Sequence, residues 1–360
     1  MTKHKDLKFG VEGPNFSWED IRDITLYAEK LGLDSFWMPD HLVATGTRRG
    51  DSLDAWSILT ALALETEEIK LASGVSDTYR RHPAQLALNA VTCDEISGQR
   101  AILGIGAGEA MNLTPFGIPF QDKIVSRTRE GIEVINKLWS EKYANYKGEY
   151  YELKDAYFEP KPSAPLSREK YRPGLPLYIA AVGEQMRGVV AKYGDGWLPA
   201  NLPPSTYTKF LEDIRKRAKN EGRNPEQIDP AHFTYAVISE DYDDARNAIM
   251  LPAKMMLLSR PHVLERLGYE PPSYDFEMTY ELVLPHQGKE WLEKSKEVPD
   301  EAVEDAPYLY GTPEDIIEGI EEYIDAGCRN FVMNFQVPSK KLKENCRLFA
   351  NEVIEYFEEQ

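Results

Sequence analysis

The chain has 360 residues, 42% hydrophobic and 28% charged, with 60 acidic against 42 basic side chains and a formal net charge of −18. Such a composition can bury a large core, and so acidic a surface repels nucleic acid and anionic membranes. Cys93, Cys328 and Cys346 lie far apart with no paired spacing, as expected of reduced thiols in a cytoplasm, and neither "MTKHKDLKFGVEG" nor any later run is an apolar leader or membrane span.

In chain order, "LKFGVE" (7–12) reads as a strand, and "WEDIRDITLYAEKLG" (18–32) as an amphipathic helix ended by glycine. The alternation continues with a strand over 34–38, a helix over 54–66, a strand over 69–75 and a helix over 83–97. A strand over 100–106 and a helix over 126–140 follow, and then the rhythm breaks. "YKGEYYELKDAYFEPKP" (146–162) alternates polar and aromatic residues, predicting a hairpin within an excursion over 141–174. The strand–helix pattern resumes with strands over 175–181, 196–200 and 232–239 and helices over 184–193, 205–221 and 241–258. Residues 261–310 are proline-bearing and irregular and read as an insertion. The capped helix "TPEDIIEGIEEYIDAG" (312–327), the strand 329–335 and a last helix over 339–357 complete the chain. Eight strands, each followed by a helix, imply parallel pairing through crossover helices. The expected fold is α/β: a single (β/α)8 TIM-barrel domain over 1–360, with insertions after the fourth and seventh strands.

In such a barrel the chemistry sits where the strands end at their carboxyl termini. Glu12 follows the first strand, Asp40-His41 the second and Gly74-Val75-Ser76 the third. "GAGEAMN" (106–112) follows the fourth and Val182-Gly183 the fifth. His41 is the natural acid–base group, since imidazole titrates nearest neutral pH; a histidine merely bonded to a neighbouring strand end is the plainer reading. Glu109 is either a helix cap or loop charge, or a partner acid for His41 beside glycines that let a flat ligand approach the backbone at Gly108. Glycine at 74 suggests a bulge or unusual peptide geometry, and Val182-Gly183 is either a tight turn or a set of amides facing a phosphate. His4, His82, His232, His262 and His286 form no ligand pattern, and His232 is placed at the start of a strand, so no metal is expected. Neither a phosphate-binding P-loop nor a GxGxxG fingerprint is present.

"LGLDSFWMPDHL" (31–42), "GAGEAMN" (106–112), "KLASGVSDTYRRHP" (70–83) and "LYIAAVGEQMRGVVAKYGDGW" (177–197) resemble the bacterial-luciferase-like superfamily, in particular its coenzyme F420-dependent branch. The resemblance covers 7–258 and 311–357. It implies acid–base roles for His41 and Glu109, and a lesser one for Glu12, which matches a glutamate of the methylenetetrahydromethanopterin reductases. It implies a cofactor site along Asp40, Gly74, Val75, Ser76, Gly108, Asn112, Val182 and Gly183, with a non-prolyl cis peptide at Gly74–Val75 behind the ring. The implied function is hydride transfer between coenzyme F420 and a small-molecule substrate, either a methylene-tetrahydropterin carrier or a secondary alcohol or ketone, in a cytoplasmic homodimer. An FMN-dependent monooxygenase and a catalytically silent cofactor-binding protein are the alternatives. The tryptophan and glutamate of the alcohol and sugar-phosphate dehydrogenases are replaced by Ala44 and Leu113, and the sugar-phosphate enzyme's lysine after "GDG" is missing, so glucose 6-phosphate is not the expected substrate.

Overall fold

A computed structural model describes residues 6–13, 17–43, 52–120, 123–162, 175–273 and 288–359. Ala44, residues 163–174 of the expected excursion and residues 274–287 of the expected insertion lie outside the described residues.

The first half follows the predicted alternation: β1 (Lys8–Glu12), α1 (Trp18–Lys30), β2 (Ser35–Met38), α2 (Ala55–Glu65), β3 (Lys70–Ser73), β4 (Ser76–Asp77), α3 (Pro83–Ser97) and β5 (Ala101–Gly106). After α4 (Ile124–Ser140) the hairpin comprises β6 (Tyr143–Lys147) and β7 (Glu152–Tyr157), paired antiparallel. The alternation returns with β8 (Leu177–Ile179), α5 (Glu184–Tyr193), β9 (Gly196–Trp197), α6 (Pro204–Asn220) and β10 (Asp229–Ile238). Then come α7 (Tyr242–Leu258), α8 (Pro261–Leu267), α9 (Gly288–Ser295) and α10 (Asp300–Glu304). The chain finishes with β11 (Leu309–Gly311), α11 (Pro313–Asp325), β12 (Asn330–Phe335) and α12 (Ser339–Leu348), continued by a π-helical turn over 349–354 and α13 (Glu355–Glu358).

The strands close into a parallel barrel in the order β12, β1, β2, β3 with β4, β5, β8, β9, β10, and back to β12. Alternation within each strand creates two apolar compartments. Phe9 and Val11 of β1 point outward to the helices, whereas Trp37, Ala72, Ile102, Tyr178, Leu198, Ala231 and Val332 fill the barrel interior. Glycines make room for the large interior rings: a Cβ on Gly196 would sit 2.2 Å from the Tyr178 ring, and one on Gly10 would sit 3.1 Å from the Trp37 indole nitrogen. At the amino end, Asp229 accepts hydrogen bonds from Lys8 Nζ (3.0 Å), Asn330 Nδ2 (3.0 Å) and the Tyr178 hydroxyl, tying together the starts of β1, β10 and β12.

Three boundaries differ from the sequence reading. The third barrel strand is split into β3 and β4 at Gly74–Val75, whose peptide is cis. From Ala72 to Ser76 the chain advances four residues while β5 advances three, from Ile102 to Ile105, which is a one-residue bulge. The end of the expected insertion is part of the sheet: Leu309 to Gly311 pair with Ala236 to Ile238. His232 lies inside β10, which begins three residues earlier at Asp229, since Pro230 and Ala231 are themselves in the ladder. His232 is fully buried against Tyr207 of α6 and Tyr323 of α11.

The hairpin is held on α4 by carboxylates. Glu130 accepts from the backbone N–H groups of Glu149 and Tyr150, and Glu133 accepts from the Tyr146 hydroxyl. Tyr151 then reaches the carbonyl of Thr78 at 2.7 Å, linking the hairpin to the loop after β4. Among the described residues no helix is long and apolar enough to cross a membrane, and no group of three His, Cys, Asp or Glu side chains could hold a metal ion.

Candidate active site

The loops after β2, β4 and β5 converge at the carboxyl mouth of the barrel. β2 is followed by Pro39, Asp40 and His41, and β5 by Ala107, Gly108 and Glu109. The two loops meet side chain to side chain, with His41 Nε2 3.2 Å from Glu109 Oε2. Both side chains are partly exposed, at 23% and 30%. Glu109 stands at the cap position of a single 3-10 turn over Ala110–Asn112, yet its side chain makes no cap hydrogen bond. The carboxylate is turned to His41 instead.

Asn112 fixes the pair. Its Nδ2 donates to Glu109 Oε2 at 2.9 Å, and its Oδ1 accepts from the backbone N–H groups of Leu42 (2.7 Å) and Val43 (3.0 Å). Glu109 Oε2 therefore faces two donors, so this network assigns a proton to His41 Nε2. Nδ1 of His41 is buried and has no hydrogen-bond partner among the described residues.

Asp40 and Ser76, expected along the cofactor, have buried side chains that bond within the protein. Asp40 is 2% exposed and Ser76 fully buried. Ser76 Oγ donates to Asp40 Oδ2 at 2.6 Å and accepts from the Trp56 indole at 3.1 Å. Arg81 binds both oxygens of Asp40, at 2.9 and 3.0 Å. Burial pushes the Asp40 carboxyl up, but the Arg81 hydrogen bond and the charges of Arg80 and Arg81 hold it below the usual carboxylate range. The bulge at Gly74–Val75 aligns Ser76 with Ile105 of β5, so its side chain faces α2 and the Trp56 indole rather than the barrel interior.

Glu12 ends β1, on the strand beside β2, and accepts a hydrogen bond from Asn334 Nδ2 of β12. Gln336 in turn donates to Asn334 Oδ1. Asn334, Gln336, Arg80 and Arg81 were not among the sequence candidates. "SDTYRRHP" carried a signal for the arginines, since adjacent cations just past a barrel strand need buried anions.

The remaining candidates form a wall with little side-chain bulk. A Cβ on Gly106 would lie 2.6 Å from Val75 Cγ2, and one on Gly74 would lie 3.2 Å from Trp37 Cβ. Gly108 has φ +81°, a conformation suited to glycine, and its amide runs beside Asp77 and Leu113. Past β8, the strand that pairs with β5, Val182 is 37% exposed and Gly183 caps α5 without a side-chain bond, with open space at its Cβ position. A small-residue wall beside an acid–base pair, with free helix-start amides at its edge, fits a flat ring bearing a phosphate tail.

Barrel and site together set a histidine–glutamate pair at the carboxyl mouth of a (β/α)8 barrel. The chain belongs to the luciferase-like monooxygenase family, whose model matches residues 4–330. It is 31% identical over 350 residues to the 5,10-methylenetetrahydromethanopterin reductase of Archaeoglobus fulgidus, covering 97% of this chain and 99% of that protein. It is 27% identical over 360 residues to the F420-dependent glucose-6-phosphate dehydrogenase of Kineococcus radiotolerans, covering 98% of each chain. Among solved structures, the coenzyme F420-dependent tetrahydromethanopterin reductase of Methanopyrus kandleri superposes with a TM-score of 0.81 at 26% identity, over 98% of this chain and 99% of that one.

Proposed function

We propose that this chain is a coenzyme F420-dependent oxidoreductase that reduces a methylene-tetrahydropterin carrier. The observation that carries the reading is the His41–Glu109 pair, 3.2 Å apart, beside the wall built from Gly74, Gly106 and Gly108. The full-length likeness to a methylenetetrahydromethanopterin reductase supports the choice of substrate. A secondary alcohol or ketone is the second reading, favoured by the "GAGEAMN" loop.

When bound, F420 supplies hydride transfer at its deazaflavin ring. Gly74, Val75, Gly108 and Asn112 would border the ring, and the amides at Val182 and Gly183 would meet its phosphate. Proton exchange with the substrate nitrogen or oxygen runs through the His41 Nε2–Glu109 pair, since Nδ1 is buried, and the carboxylate offsets a charge gained on the imidazole. Asn112 keeps the carboxylate facing that way. Glu12, held by Asn334, is a second carboxylate at the same mouth.

The test is to load the purified protein with reduced F420, add methylene-tetrahydromethanopterin or a secondary ketone, and follow the absorbance of oxidised deazaflavin. Turnover with the pterin is expected. Turnover with the ketone alone favours the second reading, and no turnover with either, or co-purification of FMN, rejects the assignment.

We place the protein in the cytoplasm as a homodimer. Helices α2 and α3 support this: α2 carries no charge before Glu65, and Leu64 (77%), Leu88 (38%) and Ile96 (40%) are exposed on them. In a chain of net charge −18, an uncharged helix face is where two copies can meet with least repulsion.

A further inference from the structure

We propose that Arg80 is a positioning residue that sets the placement of His41 through the Asp40–His41 peptide. The inference rests on the reading of His41 as the proton-exchanging group. Arg80 Nη2 donates to the carbonyl of Asp40, the peptide oxygen immediately before His41, and Nη1 lies 3.3 Å from Asp40 Oδ1. On the other side of His41, its own carbonyl accepts from Ser52 Oγ at 2.7 Å, and the next two amides are held by Asn112. The backbone that presents the imidazole is therefore fixed before and after the residue. Of these holders, Arg80 is a charged group, and its side chain is only 5% exposed.

Arg80 is itself placed by the sheet. Its Nε donates to Asp77 Oδ2 at 2.6 Å, and Asp77 Oδ1 accepts from the backbone N–H groups of Tyr79 and Arg80, both at 2.8 Å. Asp77 therefore folds the turn that carries the guanidinium. Asp77 also pairs in register with Gly106 of β5, three residues before Glu109. One strand pair thus references both members of the acid–base pair, Glu109 directly and His41 through Asp77, Arg80 and the Asp40 carbonyl.

The charge ledger separates this role from simple stabilisation. Arg81 and Ser76 already occupy both oxygens of the buried Asp40 carboxylate. Removing Arg80 leaves Asp40 compensated and takes away the restraint on the peptide. Asp77 would lose its partner, so the cleanest removal is the double change Asp77→Asn with Arg80→Met, which deletes both members of that buried pair.

The experiment is a mutant cycle on F420-loaded enzyme, with kcat, KM, cofactor affinity by deazaflavin fluorescence, and thermal midpoint measured for each variant. A displacement of about 1 Å at a reacting group lowers rate on the order of a hundredfold. The Asp77→Asn/Arg80→Met variant is therefore expected to lose about ten- to a hundredfold in kcat, with cofactor affinity within about threefold of wild type. In a His41→Ala background the same change should lower kcat less than about twofold, because its effect passes through the imidazole. Arg80→Lys should restore part of the rate, and it carries the same comparison if the double variant does not fold. Wild-type kcat in the folded Arg80 variants, or an equal fold-loss with and without His41, overturns the inference. Wild-type kcat in His41→Ala alone overturns the underlying reading and the inference with it, which distinguishes the two failures.

Discussion

His232 offers a prediction whose size follows from its surroundings. The residue is fully buried on the outer side of β10, stacked on Tyr323 (4.3 Å between ring centroids) and edge-on to Tyr207 (5.6 Å). Neither ring nitrogen has a hydrogen-bond partner among the described residues. Burial lowers its pKa from 6.5 to about 3, so the folded protein keeps this imidazole neutral. Between those values the unfolded chain binds a proton that the folded chain does not, so stability rises with pH across the window. The contribution is complete above pH 6.5 and declines on acidification by about 1.4 kcal/mol per pH unit, to a loss of about 5 kcal/mol near pH 3. His232→Phe keeps a ring between the tyrosines and removes the titration. Urea unfolding followed by tryptophan fluorescence at pH 7.5, 6, 5 and 4.5 should show the variant as stable as wild type at the highest pH or more so. Its stability should then fall less steeply below pH 6.5, by about 1.4 kcal/mol per unit. Equal pH slopes in the two proteins would refute the reasoning.

Four further outcomes are expected. His41→Ala and Glu109→Gln should each lower turnover by about two to four orders of magnitude with F420 still bound; full activity in both would remove them from the mechanism. Gly104→Ala would put a Cβ 2.0 Å from the Ser73 carbonyl, a backbone atom with no room to yield, and should lower the unfolding free energy by about 3 kcal/mol in urea titrations. Gly106→Ala crowds the Val75 side chain, at 2.6 Å, and reaches Ala180 Cβ only at ordinary contact, 3.7 Å, so its main effect should be a cofactor affinity weaker by about tenfold, read by fluorescence titration. Leu64→Lys, at a position 77% exposed, should leave the thermal midpoint of the monomer nearly unchanged while converting a dimer to monomers in light scattering; an unchanged mass would move the interface elsewhere.

Much of the scaffold was legible because its signals are local and periodic. Alternating strands and helices announce a parallel sheet, and eight such units announce a barrel, whose geometry places the active site at one set of strand ends. The glycine ending the first helix and the cap opening the helix at 312 were marked in the sequence, and Gly32 (φ +80°) and Thr312 occupy those ends in the structure. The short strands were less legible. β9 has two residues and β11 three, too few for any period to emerge, and β3 and β4 are separated by a bulge that a continuous apolar run conceals.

The site divides along the same line. By itself the sequence determined that His41 and Glu109 leave alternate strands, β2 and β5, at the same end, because strand direction and alternation follow from local pattern. It also determined that glycines clear the wall beside them, since a missing Cβ is a property of the residue. The tertiary structure alone decided that the two side chains meet, that Asn112 holds both the Glu109 carboxylate and the backbone after His41, and that Asp40 is bound by Ser76 and Arg81. Loops past a strand end carry no periodicity to aim a side chain. Their directions are set by partners distant in sequence, as Asp40 is set by Arg80 and Arg81 some forty residues on.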